Sequence, residues 1–214
     1  MTRVFWGIVA MAGIVLASNI LVQFLLLDGL LTWGAFTYPF AFLVTDIMNR
    51  LYGPAQARRV VLAGLVTGIF CSLIGSQIDL QGDGFTYPAV ALRVGVASAC
   101  AFLVAQLLDI AIFNRLRDGN WWRAPVVSSL VSSTIDTIIF FTIAFSASIR
   151  FGADSDAEVS WAWDTSPLLL IGGDAPLWVS LAIADWGVKI AIALIALVPF
   201  RLIVGRLLAD RSPS

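Results

Sequence analysis

The sequence predicts an all-α integral membrane protein with six transmembrane helices and both termini cytoplasmic. Three observations carry this expectation. The 214 residues have a mean hydropathy of +0.91 and only 13% are charged, where a soluble domain carries about a quarter. The apolar residues run in six stretches of roughly the 20 residues a helix needs to cross a bilayer. The basic residues also gather in alternate joints between those stretches, as the positive-inside rule requires.

The first stretch, 4–27, follows Arg3 and lacks a small-residue cleavage pattern, so it reads as a spanning helix rather than a removed signal. It carries Asn19 and Gln23, four apart, and ends at the Asp-Gly pair 28–29. The second, 32–51, contains Tyr38-Pro39, a step that breaks a helix because proline has no backbone N–H. The third, 58–79, holds GLVTG at 64–68, a small-xxx-small face that lets two helices approach closely. The fourth is 88–114, the fifth 125–149 and the sixth 175–200. One membrane domain covers 1–214, with an acidic outside loop at 151–174 and a cytoplasmic tail at 201–214.

Charge sets the orientation. With the N-terminus inside, the inside joints hold ten of the thirteen basic residues, among them Arg50, Arg58, Arg59, Arg115, Arg117 and Arg123. The outside joints hold eight acids and a single base, Arg150.

Several function classes drop out. The chain has no histidine, and no P-loop, GxSxG, HExxH or CxxC pattern, so neither nucleotide hydrolysis nor a standard hydrolase or metal centre is expected. Cys71 and Cys100 lie in separate apolar segments and read as small buried hydrophobes. A net charge of −1 gives no reason to expect nucleic acid as a partner. The chain is therefore expected to be neither an enzyme nor a cofactor protein.

Six charges remain inside the apolar layer: Asp46, Asp109, Asp136, Asp185, Arg93 and Lys189. Each costs about 2.5–3.5 kcal/mol at the bilayer centre unless it is paired or wet. Helical spacing places them on polar stripes mixed with aromatics: Tyr38, Phe42, Thr45, Asp46 and Asn49; Ser98, Phe102, Gln106 and Asp109; Ser129, Ser132, Asp136 and Phe140; Trp178, Ala182, Asp185 and Lys189. Turned inward, the stripes share one cavity. Asp185 and Lys189 have the favourable acid-first i,i+4 order, which suits a structural ion pair as well as a substrate contact. Asp46 and Arg50 share that spacing, and Arg50 also suits a topology signal. Asp136 has no basic residue within four positions, so its partner comes from another helix, Lys189 or Arg93, or from a ligand. The candidate substrate-binding residues are thus Asn19, Gln23, Tyr38, Asp46, Phe102, Gln106, Asp109, Asp136 and Lys189, and the ion-pair or coupling candidates are Asp136, Asp185, Lys189 and Arg93.

TWGAFTYPFAFLVTDIMNRLYGPAQARRVV at 32–61 resembles the signature segment of the bacterial queuosine precursor transporters, also described as a vitamin uptake family. SNILVQ at 18–23, RVGVASACAFLVAQLLDIAIFNRLR at 93–117, WWRAP with SSTIDTIIFFTIAF at 121–145, and ADWGVKIAIALIALVP at 184–199 match that family in order. The resemblance implies a multi-pass inner-membrane importer of 7-deazaguanine bases, the cyano and aminomethyl precursors of queuosine, which is a tRNA modification. It also implies a fold similar to the substrate-binding subunits of energy-coupling-factor vitamin transporters. Family motif positions fall on Asn19, Gln23, Asp46, Arg50, Arg93, Gln106, Asp109, Asp136, Asp185 and Lys189. The implied partners are a nucleobase and the bilayer. A homo-oligomer stays open, as does service as the binding subunit of an ATP-driven importer. A guanine-like edge offers adjacent N–H donors that one carboxylate accepts together. Asp136 or Asp109 fits that role, with Gln106 or Asn19 at O6 or N3 and Tyr38 stacked on the ring.

Overall fold

The computed structural model describes residues 2–22, 24–27, 29–81 and 86–209. The expected site residue Gln23 lies outside the described residues. The chain opens with α1 (Thr2–Leu21), then a minimal hairpin of β1 (Leu25–Leu26) and β2 (Leu31–Thr32). The first helix therefore stops at Leu21 rather than 27. The chain reverses through Gly29, whose φ of +89° is a left-handed turn that glycine adopts without strain.

The second apolar stretch is not one helix. Thr32 caps α2 (Trp33–Thr37) by accepting from the Ala35 N–H, and α3 (Phe40–Tyr52) starts only after Tyr38-Pro39. At about 1.5 Å per residue, the 13 residues of α3 reach only about 20 Å. Gly53 (φ +81°) then reverses the chain, and Pro54 opens α4 (Pro54–Gly75) at the one place where its missing N–H is harmless. A second hairpin, β3 (Asp79–Gln81) with β4 (Thr86–Pro88), leads to α5 (Leu92–Leu116) and α6 (Arg123–Phe145).

Residues 151–174 are built rather than open. They contain α7 (Ala153–Ala157), two 3-10 turns, and β5 (Thr165–Pro167), which pairs with β6 (Asp174–Pro176). The chain ends in α8 (Leu177–Ile195) and α9 (Leu197–Ala209). Helix thus continues past 200, where a tail was expected. The reason is amphipathic: Phe200 and Val204, four apart, are buried with Leu51, Phe113 and Ala124, while Arg201 and Arg206 face outward.

Among the described residues, five helical stretches are long and apolar enough to cross a membrane: Val4–Leu21, Pro54–Gly75, Leu92–Leu116, Arg123–Phe145 and Leu177–Ala209. The chain is a multi-pass, mostly helical membrane protein. Its outer surface agrees, since Leu62, Val66, Phe70 and Leu73 of α4 are all more than half exposed, a face that suits lipid and not water.

The three hairpins share one end of the bundle, called the hairpin end below. The Gly53 turn, the 117–122 turn and α9 mark the arginine end. There Arg50 donates to the Arg117 carbonyl and Arg117 returns a bond to the Arg50 carbonyl at 3.3 Å. Arg50 thus ties α3 to α5 and does not pair with Asp46. Inside, α1, α3, α4 and α5 close around Met11, Val15, Met48, Val60, Val61, Phe102 and Ile110. Gly64 makes that closure possible, because a Cβ there would stand 2.6 Å from Met11 Cγ and 3.0 Å from Phe102 Cζ.

Candidate functional site

A cavity of about 370 Å³ runs from the hairpin end to Lys189, a volume typical of small-molecule sites. Nearly every long helix contributes to it: Ser18 and Asn19 from α1, Gly34 and Ala35 from α2, Gly64 and Gly68 from α4, Ser98 and Phe102 from α5, Asp136, Phe140, Phe141 and Phe145 from α6, and Asp185 and Lys189 from α8. Tyr38 enters from the break between α2 and α3, and Trp161 from the 3-10 turn above.

The polar floor is one hydrogen-bonded cluster. Lys189 Nζ lies 2.7 Å from Asp136 Oδ2, 2.5 Å from Asp185 Oδ2 and 3.2 Å from Thr137 Oγ1. All three ammonium donors are therefore engaged. Tyr38 donates its hydroxyl to Asp136 Oδ1 at 3.0 Å, and Thr137 donates to Asp185 Oδ2 at 3.3 Å. Two carboxyl groups against one ammonium give the floor a formal net charge of −1. Asp185 is the most open of the three charged side chains, at 16% exposure against 3% for Asp136 and 4% for Lys189.

The walls are aromatic. Tyr38 meets Phe102 edge-on at 6.2 Å between ring centres, and Phe145 meets Trp161 at 5.8 Å. Asn19 uses one amide hydrogen on its own helix, donating to the Val15 carbonyl at 2.8 Å, and keeps the rest of its amide for the cavity.

The sequence-predicted residues thus separate into groups. Asn19, Tyr38, Phe102, Asp136, Asp185 and Lys189 come together on the cavity. Asp46, Gln106 and Asp109 do not line it; they are buried farther toward the arginine end, between α3, α5 and α6. Arg93 is elsewhere again. It is fully buried near the start of α5, 2.9 Å from Asp156 of α7, and it donates to the carbonyls of Ile143 at 2.9 Å and Ser146 at 3.0 Å. Asp136 accordingly pairs with Lys189 and not with Arg93. The guanidinium caps the end of α6 and pins α7 over it, a positioning job at the rim.

Three contributors were not singled out from the sequence: Thr137, Asp156 and Trp161. Thr137 could have been found, as it follows Asp136 and sits within reach of the same α8 pair. Asp156 and Trp161 carry no local signal, because their places depend on how 151–164 folds back.

The family model described as "Putative vitamin uptake transporter" matches residues 32–204. The chain is 31% identical over 204 residues to the "Queuosine precursor transporter" of Escherichia coli (strain K12), covering 91% of this chain and 83% of that one. It is 38% identical over 138 residues to the "Probable queuosine precursor transporter" of Haemophilus influenzae, covering 61% of this chain and 57% of the relative. A relative of the same name from Bacillus subtilis is 32% identical over 133 residues, covering 53% of this chain and 56% of the relative. No solved structure matches. With the family model spanning most of its length and a relative above 30% identity aligned nearly end to end, this chain belongs to the vitamin uptake transporter family, whose members are membrane transporters and not enzymes.

Proposed function

We propose that this chain imports queuosine precursors, 7-cyano- and 7-aminomethyl-7-deazaguanine, across the bacterial inner membrane, with the hairpin end outward and both termini cytoplasmic. The observation that carries the reading is the anionic floor of the aromatic cavity. A guanine-like base presents N1–H and a 2-amino group side by side, and a carboxylate accepts both together. Asp185 is the most open acceptor, with Asp136 behind it. Both Asp136 oxygens already accept bonds, from Tyr38 and Lys189, so Asp136 orients Lys189 and Asp185 rather than meeting the base alone. Tyr38 and Phe102, set edge-on to each other, give the aromatic wall against which the base packs, and Asn19 faces the other polar edge. The surplus negative charge further favours the aminomethyl base, which is a cation. The relatives' names support the substrate class.

The test is uptake of labelled 7-cyano-7-deazaguanine by bacteria that can neither make nor import it, read as queuosine in tRNA. The gene should restore queuosine, and Asp185→Asn should lower uptake at least tenfold at equal membrane levels. Full uptake by Asp185→Asn would refute the assigned edge. No queuosine from a correctly inserted chain would refute the substrate class. Uptake by the purified chain alone in liposomes would show that it needs no ATPase module, and absence of such uptake would favour the binding-subunit arrangement.

A further inference from the structure

A second polar site lies beyond the cavity floor. Asp46 of α3 and Asp109 of α5 are 3% and 0% exposed. They neighbour each other, with Ser128 of α6 beside both. Asp46 receives only long contacts, from Ser128 at 3.4 Å and Ser129 at 3.3 Å. Among the described residues, neither oxygen of Asp109 has a donor in hydrogen-bond geometry. Gln106 Nε2, one turn before Asp109, is also buried without a partner, while its Oε1 accepts from Thr45 at 2.6 Å. Ser132 Oγ and Asn49 Oδ1 also lack a partner among the described residues. A buried carboxylate without donors is costly, and two adjacent ones cannot both hold charge. A single shared proton satisfies the pair.

No cation among the described residues neutralises it. From α5 Asp46 meets the Asp109 carboxyl, while Arg93 is held by Asp156 and Arg115 is exposed; α6 offers hydroxyls, and its Arg123 is exposed. Arg50 of α3 is engaged with the Arg117 carbonyl. The basic residues of the other packed helices, Arg58 and Arg59 of α4 and Arg201 and Arg206 of α9, are exposed or half-exposed, and α1 carries no charge over 4–21. From α8, Lys189 shares with Asp46 a cleft of about 10 Å³, lined also by Pro39, Phe42, Ser129 and Ser133, room for about one water. Lys189 also lines the main cavity, so this one ammonium touches both compartments.

We propose that the Asp46–Asp109 pair is a proton-binding coupling site, separate from the cavity, that carries one proton inward with each transported base. The proton enters and leaves as such, and no bond of the base changes. The proposal rests on the transporter reading but not on the identity of the substrate.

Two measurements test it. Infrared spectroscopy of the purified protein should show the C=O stretch of a protonated carboxylic acid. That band should be lost or shifted in Asp109→Asn and in Asp46→Asn and kept in Asp185→Asn. In proteoliposomes held at zero membrane potential, a one-unit pH gradient, alkaline inside, should drive about tenfold accumulation of 7-cyano-7-deazaguanine. Asp109→Asn should bind the base as tightly yet only equilibrate it. A band unchanged in both pair variants would overturn the proposal, as would accumulation that persists in Asp109→Asn, ignores the pH gradient, or follows a sodium gradient instead. If the wild type binds no deazaguanine, the substrate reading fails, and the infrared band still decides whether the pair holds the proton.

Discussion

Removing Lys189 should damage the protein more than removing either of its acids, and removing one acid should then repair part of that damage. Lys189→Met deletes the only cation among the described residues within bonding distance of Asp136 and Asp185, whose side chains are 3% and 16% exposed. Breaking a buried pair this way costs about 3–5 kcal/mol. For a chain of this size, about 2–4 °C of melting temperature accompanies each kcal/mol, so the expected loss is roughly 6–20 °C. In Lys189→Met, Asp136 keeps the Tyr38 hydroxyl and Asp185 keeps Thr137, but the floor carries two uncompensated negative charges. Adding Asp185→Asn removes one of them. The double variant should therefore melt above Lys189→Met, with a coupling of about 1–3 kcal/mol in a double-mutant cycle. The assay is thermal unfolding in one detergent, with wild type, both single variants and the double variant run together. Coupling below about 0.5 kcal/mol, within the scatter of additive sites, would refute the claim that the cluster acts as one electrostatic unit.

Other outcomes follow from the same structure. Arg93→Leu and Asp156→Asn should each free α7, seen as faster proteolysis and hydrogen exchange over 150–164, and the double variant should be no worse than Arg93→Leu, because both break the same 2.9 Å pair. Gly64→Val should cost about 1–3 kcal/mol by overpacking, since its Cβ would fall 2.6 Å from Met11 Cγ; adding Met11→Ala should recover much of the melting temperature. Trp161→Ala removes an aromatic wall of the cavity, and loss of stacking worth about 1–3 kcal/mol should weaken base binding roughly 5- to 150-fold, read by equilibrium binding to the purified protein.

The long helices were legible because hydropathy over about 20 residues is a strong signal and because Pro39, Gly53 and Pro54 punctuate the chain by known backbone rules. The meeting of Asp185 with Lys189 was legible too, since both lie on one helix four residues apart. What could not be read was which stripes meet at the same depth. Asp46, Gln106 and Asp109 have the same polar-among-apolar signature as Asp136, yet they sit below the cavity and not on it, because depth depends on where α2 gives way to α3 and how far α5 extends toward the arginine end. Arg93 looked like a partner for Asp136 by position along its helix. Its actual partner, Asp156, lies 63 residues away in a segment that composition marks only as acidic.

Lys189 lines both polar sites, and we infer that it ties base binding to proton movement. Its ammonium is already saturated by Asp136, Asp185 and Thr137. A base edge that donates two hydrogens to Asp185 competes for the same carboxylate. The attraction holding Lys189 toward the cavity then weakens, and the cleft it shares with Asp46 is the other anionic direction open to it. A cation moved toward Asp46 favours the ionised form of that carboxyl, which releases the shared proton on the arginine side. Base occupancy above and proton release below thus become two readouts of one side chain. This yields a further sign to check: Lys189→Met should uncouple the two, leaving proton binding at Asp46–Asp109 intact in the infrared spectrum but indifferent to added base. A wild-type carboxyl band that does not change when base is added would defeat this link even if both sites exist.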